Sequence, residues 1–327
     1  MTERERALQE WLGAVIGSSG FRVEPASDDA SFRRYFRVIL TGGQQRIVMD
    51  APPGREDCGP FLDLAERFSA LGLHVPKVYA SDLSQGFILL EDLGSTHYLD
   101  VLGPDSADRL YGDALAALVI LQSIGPRQDL PLYDETLLRQ EMGLFSEWLL
   151  GRHLGLQSDG NRSQMLSDAM DLLVETALQQ PRVCVHRDYH SRNLLVTGSP
   201  SPGIIDFQDA VLGPVTYDLV SLLKDCYIEW PLGRVHEWVL GYFELALQSG
   251  VLQSVHEDRF LRWFDLMGVQ RHLKASGIFA RLNHRDGKSG YLADIPRTLG
   301  YIVEVAGRYP ELESLGDLIN RQVLPRL

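Results

Sequence analysis

The chain is poor in several signals that would assign it to a specialised class. Only three cysteines occur, Cys58, Cys184 and Cys226, and no two form a CxxC pair. Neither a disulfide framework nor a cysteine zinc site is expected. Cys184 sits in an apolar run and reads as a small buried hydrophobe. No run of roughly eighteen apolar residues exists, so no membrane span is expected. The opening Met1-Thr2-Glu3-Arg4-Glu5-Arg6 lacks the apolar segment of a secretory signal. Positive charge is in deficit: 31 Lys and Arg face 44 Asp and Glu, a net charge of -13. A nucleic-acid surface needs a basic face, so nucleic acid is not an expected partner, and neither is an anionic membrane. Internal repeats and low-complexity segments are absent. His74, His153, His236 and His256 show no metal-ligand spacing. A reducing cytoplasmic setting is the expectation.

What is present is an ordinary globular composition, 45% hydrophobic and 23% charged over 327 residues. Residues 3–16 read as a helix with Leu8, Trp11, Leu12 and Val15 on one face. Short strands are predicted at 21–25, 35–40, 46–49 and 87–90, with Gly42-Gly43 as a hairpin turn and a helix over 59–71. After Glu91-Asp92-Leu93-Gly94 the pattern becomes helical: 105–123, 134–152, 162–179, and then from 216 onward. Breaks fall near Pro231, Gly250, 283–290 and Pro310. The fold class is therefore α+β: a small antiparallel-sheet lobe over 1–93 and a larger, mainly helical lobe over 94–327. A cleft between lobes is a common ligand site.

The most informative stretch is Val183-Cys184-Val185-His186-Arg187-Asp188-Tyr189-His190-Ser191-Arg192-Asn193-Leu194-Leu195, followed by Gly203-Ile204-Ile205-Asp206-Phe207. Asn193 lies five positions after Asp188, and Asp206 thirteen after Asn193. Phosphoryl transfer to a hydroxyl needs a carboxylate beside the attacking oxygen and oxygen ligands for magnesium. His-x-Asp-x4-Asn followed by Asp-Phe provides these groups in kinase order. Asp188 would orient or accept the hydroxyl proton. Asn193 and Asp206 would give a hard cation the oxygen ligands it prefers. His186 would hold the loop by hydrogen bonds. The plainer alternative is a polar hairpin whose Asp and Asn are turn residues.

These residues resemble the aminoglycoside phosphotransferase-like branch of the bilobal protein-kinase-like fold, over nearly the whole chain. The resemblance implies ATP and Mg²⁺, with adenine held by main-chain groups of Glu91, Asp92 and Leu93. It also implies that Asp218, in Gly213-Pro214-Val215-Thr216-Tyr217-Asp218-Leu219, anchors the catalytic loop. A narrower resemblance is carried by Asp28 to Phe36, Val48 to Pro53, Asp265 to Lys274, Ile278 to Leu282, and Arg285-Asp286-Gly287-Lys288 with Tyr291-Leu292. These stretches look like the anomeric kinases of N-acetylmuramate and N-acetylglucosamine in peptidoglycan recycling. Such enzymes phosphorylate the C1 hydroxyl of a free amino sugar, on the way to UDP-N-acetylmuramate.

Two departures from general kinases stand out. No GxGxxG loop is present; Ser31 occupies the corresponding turn, with Arg33 or Arg34 as local charge. The third-strand lysine that grips phosphates is replaced by Met49 or Asp50, and Asp63 and Glu66 are the nearest helix acids. For the acceptor, Gln270, Arg271 and Lys274 share one helix face, and Arg271 suits a carboxylate. Tyr189 and His190 lie in the loop beside the acceptor, and Gln208 and Asp209 can reach sugar hydroxyls. An aminoglycoside acceptor, or a nucleotide-binding module without transfer activity, are the alternatives. A protein kinase is disfavoured because no Ala-Pro-Glu segment follows Asp206. Oligomeric state stays open, with a monomer the simplest reading.

Overall fold

The computed structural model describes residues 2–27, 33–156 and 159–327. It divides into two compact units. The smaller runs to Thr96 and adds Leu194–Asp209; the larger comprises His97–Asn193 and Ala210–Leu327.

The smaller unit begins with α1 (Glu3–Ile16), closed at its start by a capping box between Thr2 and Glu5. Two backbone donors that the helix leaves unsatisfied find partners there. Gly17 ends it with a φ of 71°, the left-handed conformation that glycine adopts most readily. Leu8 and Leu12 are buried with Val38, Val48, Phe87 and Leu89. Trp11 packs at the edge of this cluster, but Val15 is 38% exposed, so the expected four-residue face loses its last member. Ile16 turns inward in its place.

Beneath α1 lies a five-stranded antiparallel sheet of β1 (Phe21–Ser27), β2 (Arg34–Leu40), β3 (Gln45–Asp50), β4 (Val78–Asp82) and β5 (Phe87–Glu91), in the order β1-β2-β3-β5-β4. The β2–β3 hairpin turns at Gly42 and Gly43, with φ of 104° and 85°. Strand β4 was not expected. It is an edge strand that pairs with β5, and its half-exposed residues lack a strong apolar run. Helix α2 (Gly59–Ala70) buries Phe61, Leu64, Ala65 and Phe68.

The larger unit starts with α3 (Tyr98–Val101), α4 (Ala107–Ile124) and α5 (Glu135–Leu144). The expected single helix over 134–152 instead changes at Phe145 into a π-helical stretch ending at His153. Gly277 meets the chain at this change: a Cβ there would stand 2.3 Å from the Leu144 carbonyl carbon. α6 (Gly160–Leu178) leads to β6 (Arg182–Val185). The chain then passes to the smaller unit for a two-stranded pair, β7 (Leu194–Leu195) and β8 (Gly203–Ile204), before β9 (Val211–Pro214) returns to pair with β6. Helices α7 (Tyr217–Leu223), α8 (Leu232–Gln248), α9 (Glu257–Asp286), α10 (Ile295–Ala306) and α11 (Glu313–Leu318) complete it.

Helix α9, 30 residues long, is the spine of this unit and is buried on nearly every side. Its polar residues therefore need internal partners. Asp265 receives Arg308, Lys224 and the Tyr309 hydroxyl, and His272 Nε2 meets the Lys224 carbonyl at 2.8 Å. The expected Gln270–Arg271–Lys274 face is thus interior, not solvated. All three cysteines are buried, and no disulfide joins them. Among the described residues, no helix is long and apolar enough to cross a membrane.

Candidate active site

In the larger unit, β6 delivers the chain into the loop 186–193, and the loop is fixed from several sides. Asp218, buried at the start of α7, accepts the backbone N–H groups of His186 at 2.7 Å and Arg187 at 3.0 Å. Burial raises the Asp218 carboxyl to about 6, with His186 and these N–H groups pulling the other way. Asp225 accepts from the Ser191 backbone at 2.9 Å and the Ser191 hydroxyl at 2.5 Å. His186 is buried, and its Nδ1 accepts the Asp188 N–H at 3.3 Å, which places a ring proton on Nε2 in the neutral tautomer. Arg187 has a φ of 77°. Such a backbone costs roughly 1–3 kcal/mol for a residue with a side chain, and persists where its surroundings over-determine it.

Asp188 faces a cavity also lined by His190, Tyr217, Cys226, Tyr227, Arg271, Lys274, Ala275, Ile278 and Phe279. Burial opposes its charge, but Lys274, His190, Arg271 and His186 outweigh it and hold the carboxyl down to about 2. Burial also pushes His190 down to about 4, so this ring is neutral at pH 7. Lys274 and Arg271 are then the cations that keep Asp188 ionised.

These two cations differ. Lys274 donates to the Tyr217 hydroxyl at 2.8 Å and pairs with Glu141 at 3.1 Å. Arg271 is 6% exposed, yet it forms no ion pair among the described residues. Its Nη1 reaches only the Cys226 sulfur at 3.7 Å, and its buried Nε has no hydrogen-bond partner. The lining also carries aromatic rings. His190 packs edge-on against Tyr227, Tyr227 lies 6.1 Å from Phe279, and the Arg192 guanidinium covers the Tyr227 ring at 3.6 Å.

Asn193 closes the loop by donating Nδ2 to the Asp188 carbonyl at 3.0 Å, which turns its amide oxygen away from that carbonyl. Tyr189 corrects an expectation. It is fully buried and its hydroxyl donates to the Ala114 carbonyl at 2.8 Å, so it anchors the loop to α4 and does not line the cavity. Tyr227 and Phe279 also line the cavity and Glu141 pairs with Lys274; none of the three is among the residues expected at the site.

In the smaller unit, Asp206 has a φ of 65° and accepts from Gln208 Nε2 at 2.7 Å. Phe207 fixes this segment by stacking on Phe61 at 5.1 Å and packing against Phe68. Asp209 is exposed. Arg33 is buried and pairs with Glu56 at 3.1 Å. Burial works against its charge, but Tyr35, Glu56, Asp206 and Asp209 more than compensate and raise its pKa. Met49 and Asp50 are both fully buried, and Asp50 is taken by Arg4 and Arg34. Asp63 pairs with Arg67 on the surface of α2. The cation–carboxylate pair beside Asp206 is therefore Arg33–Glu56, with no lysine on β3. Asp92 is held by Arg37 at 2.6 Å, and the Glu91 N–H pairs with the Lys77 carbonyl at 2.8 Å. Leu93 is buried under Gly203. Ser31 lies outside the described residues.

Residues 22–257 match the family described as "Phosphotransferase enzyme family". The chain is 50% identical over 295 residues to an N-acetylmuramate/N-acetylglucosamine kinase of Pseudomonas aeruginosa, covering 90% of this chain and 87% of that protein. It is 41% identical to a kinase of the same name from Neisseria meningitidis, covering 97% and 95%. Among solved structures, the choline kinase LicA of Streptococcus pneumoniae superposes with a TM-score of 0.65 at 14% identity, covering 94% and all of that chain. An ADP-bound aminoglycoside phosphotransferase superposes with a TM-score of 0.59 at 16% identity, covering 90% and 97%. These neighbours share the protein-kinase-like fold, which is the fold of this chain. With the His-x-Asp-x4-Asn loop in place and most of the length matched, the chain belongs to the phosphotransferase enzyme family, whose members transfer phosphate to a hydroxyl.

Proposed function

We propose that the protein is an ATP-dependent kinase acting on the anomeric hydroxyl of N-acetylmuramate and N-acetylglucosamine. One observation carries the acceptor class: Asp188, Arg271 and Lys274 line a single cavity together with the rings of His190, Tyr227 and Phe279. A sugar offers hydroxyls to the polar groups and C–H faces to the rings. A carboxylate or acyl oxygen on the sugar completes the hydrogen bonding of the Arg271 guanidinium. A polycationic aminoglycoside would instead meet two buried cations.

In this reading Asp188 accepts or orients the proton of the attacking hydroxyl. An anomeric hydroxyl is more acidic than an ordinary alcohol, so a carboxylate with a pKa of about 2 suffices as an orienting acceptor. His190, neutral and beside Asp188, packs the acceptor in place. Main-chain groups around Glu91, Asp92 and Leu93 hold adenine, and Arg33, braced by Glu56, offsets phosphate charge. Gln208 and Asp209 are the proposed contacts to further hydroxyls. Asn193 and Asp206 are hard oxygen donors of the kind magnesium takes. Magnesium taken by these donors would supply positive charge to offset that of the phosphate oxygens. The reaction belongs in the cytoplasm, where ATP is available, and three cysteines without a disulfide suit that compartment.

The test is ADP release with a panel of acceptors in the presence of ATP and magnesium. Turnover is expected with N-acetylmuramate and N-acetylglucosamine, and none with kanamycin. Turnover with kanamycin alone would overturn the assignment.

A further inference from the structure

Glu141 sits in α5, well away from the loop in sequence, and is 5% exposed. It does not line the cavity. Its carboxylate nevertheless joins two groups that flank Asp188. Arg187 Nη2 approaches it at 2.6 Å and Lys274 Nζ at 3.1 Å. The Tyr133 hydroxyl donates a third, short hydrogen bond and itself receives Gln270 Nε2 at 3.2 Å. Burial would raise the Glu141 pKa, but Lys274 and Arg187 hold it below the ordinary range.

The two partners come from different elements. Arg187 is the loop residue before Asp188, with its backbone in the left-handed region. Asp218 holds its N–H, and Glu141 holds its guanidinium. Lys274 belongs to α9 and borders the cavity. Among the described residues, Glu141 is the carboxylate that pairs with Lys274. A buried ammonium without a nearby anion loses its proton. The groups facing Lys274 are Tyr217 from α7, Glu141 from α5, Asp188 and Arg187 from the loop, and Arg271 one turn back on α9. Glu141 is thus the anion that lies outside the cavity yet controls a cation inside it.

We propose that Glu141 is a positioning residue for phosphoryl transfer, clamping Arg187 and Lys274 so that the loop holds Asp188 towards the acceptor and Lys274 stays protonated beside it. This rests on the reading of Asp188 as the carboxylate that engages the acceptor hydroxyl.

The test is the pH dependence of kcat and KM for Glu141→Gln, with N-acetylmuramate as acceptor. Gln keeps the volume and removes the charge. The expected result is at least a tenfold loss in kcat with a smaller change in acceptor KM. The alkaline limb of the kcat profile moves down by a pH unit or more, because Lys274 has lost the anion that favours its charged form. Glu141→Asp restores part of that limb. A folded Glu141→Gln enzyme with wild-type kcat and an unmoved limb overturns the proposal. If Glu141→Gln does not fold, the variant Glu141→Gln/Arg187→Met/Lys274→Met is compared with Arg187→Met/Lys274→Met. Equal kcat supports a role exerted through these two cations, and a further tenfold loss overturns it. Asp188→Asn, run alongside, separates the two readings. If it turns over normally, the catalytic assignment and this proposal fall together. If it is inactive while Glu141→Gln is unaffected, only this proposal falls.

Discussion

Asp50 in the smaller unit and Asp188 in the larger are both carboxylates surrounded by cations, yet their environments differ. Asp50, fully buried at the end of β3, receives Arg4 Nε at 2.7 Å and Arg34 Nη2 at 2.5 Å. Arg4 continues to the Gln85 carbonyl at 2.8 Å, so Asp50 ties α1, β2 and the β4–β5 turn into one joint. Asp188 instead opens on a cavity, and one of its cations, Arg271, keeps a buried Nε without a partner. A buried charge whose hydrogen bonding is complete holds structure together. A buried charge left incomplete beside a cavity persists at a cost that a ligand can offset.

Substitutions can break or sharpen this contrast. The largest effect is expected for Asp188→Asn: kcat falls by roughly 10²–10⁴-fold, the range for removing a positioned general base. Nucleotide binding, read by fluorescence or calorimetry, is retained. Arg271→Met comes next. Loss of a charge-assisted hydrogen bond is about 1.5–3 kcal/mol, or roughly 10–150-fold in kcat/KM. Steady-state kinetics should show the larger loss for N-acetylmuramate, which carries a carboxylate, than for N-acetylglucosamine. An equal loss would assign Arg271 to a group that both sugars share.

Asp50→Asn should invert the pattern, with a smaller change in kcat than Asp188→Asn but a clear loss of stability. Breaking a fully buried pair costs roughly 3–5 kcal/mol. Arg4 and Arg34 reach solvent, so the lower range of about 1.5–3 kcal/mol, that of hydrogen bonds to charged groups, is expected here, measurable by denaturant unfolding. The smallest effect is in pH. Asp188 is held at about 2, below its ordinary 3.8, so its charge stabilises the folded chain above about pH 4. That contribution disappears as the pH falls towards 2. The difference in melting temperature between the wild type and Asp188→Asn should therefore be widest above pH 4 and close on acidification.

Much of this was legible in the sequence where polar residues interrupt apolar runs. The loop 186–193 stands between two buried strands, and its Asp and Asn have no packing reason to be there. The Gly42-Gly43 turn and the alternation in β2 and β3 expose the sheet in the same way. Other features depend on distant parts of the chain. Glu141 pairs with Arg187, 46 positions on, and nothing local distinguishes it from a surface acid. Glu56 hides in the same way beside Arg33. Tyr189 shows the converse: adjacency to Asp188 suggested the acceptor, but its ring is buried and its hydroxyl is bound to the Ala114 carbonyl. The π-helical stretch after α5 has no period of its own to read; it appears where Gly277 brings α9 against the backbone. Edge strand β4 alternates only between half-buried and exposed positions, so its sequence carries no strong apolar period.

The central claim is that Asp188, at a cavity set with Arg271 and Lys274, directs phosphate to the anomeric oxygen of an amino sugar. Phosphorus NMR of the product formed from ATP, magnesium and N-acetylmuramate tests it most directly. The account predicts a phosphate coupled to the anomeric proton with the wild-type enzyme and no such signal with Asp188→Asn. A phosphate on any other oxygen, or an undiminished signal from Asp188→Asn, would contradict it.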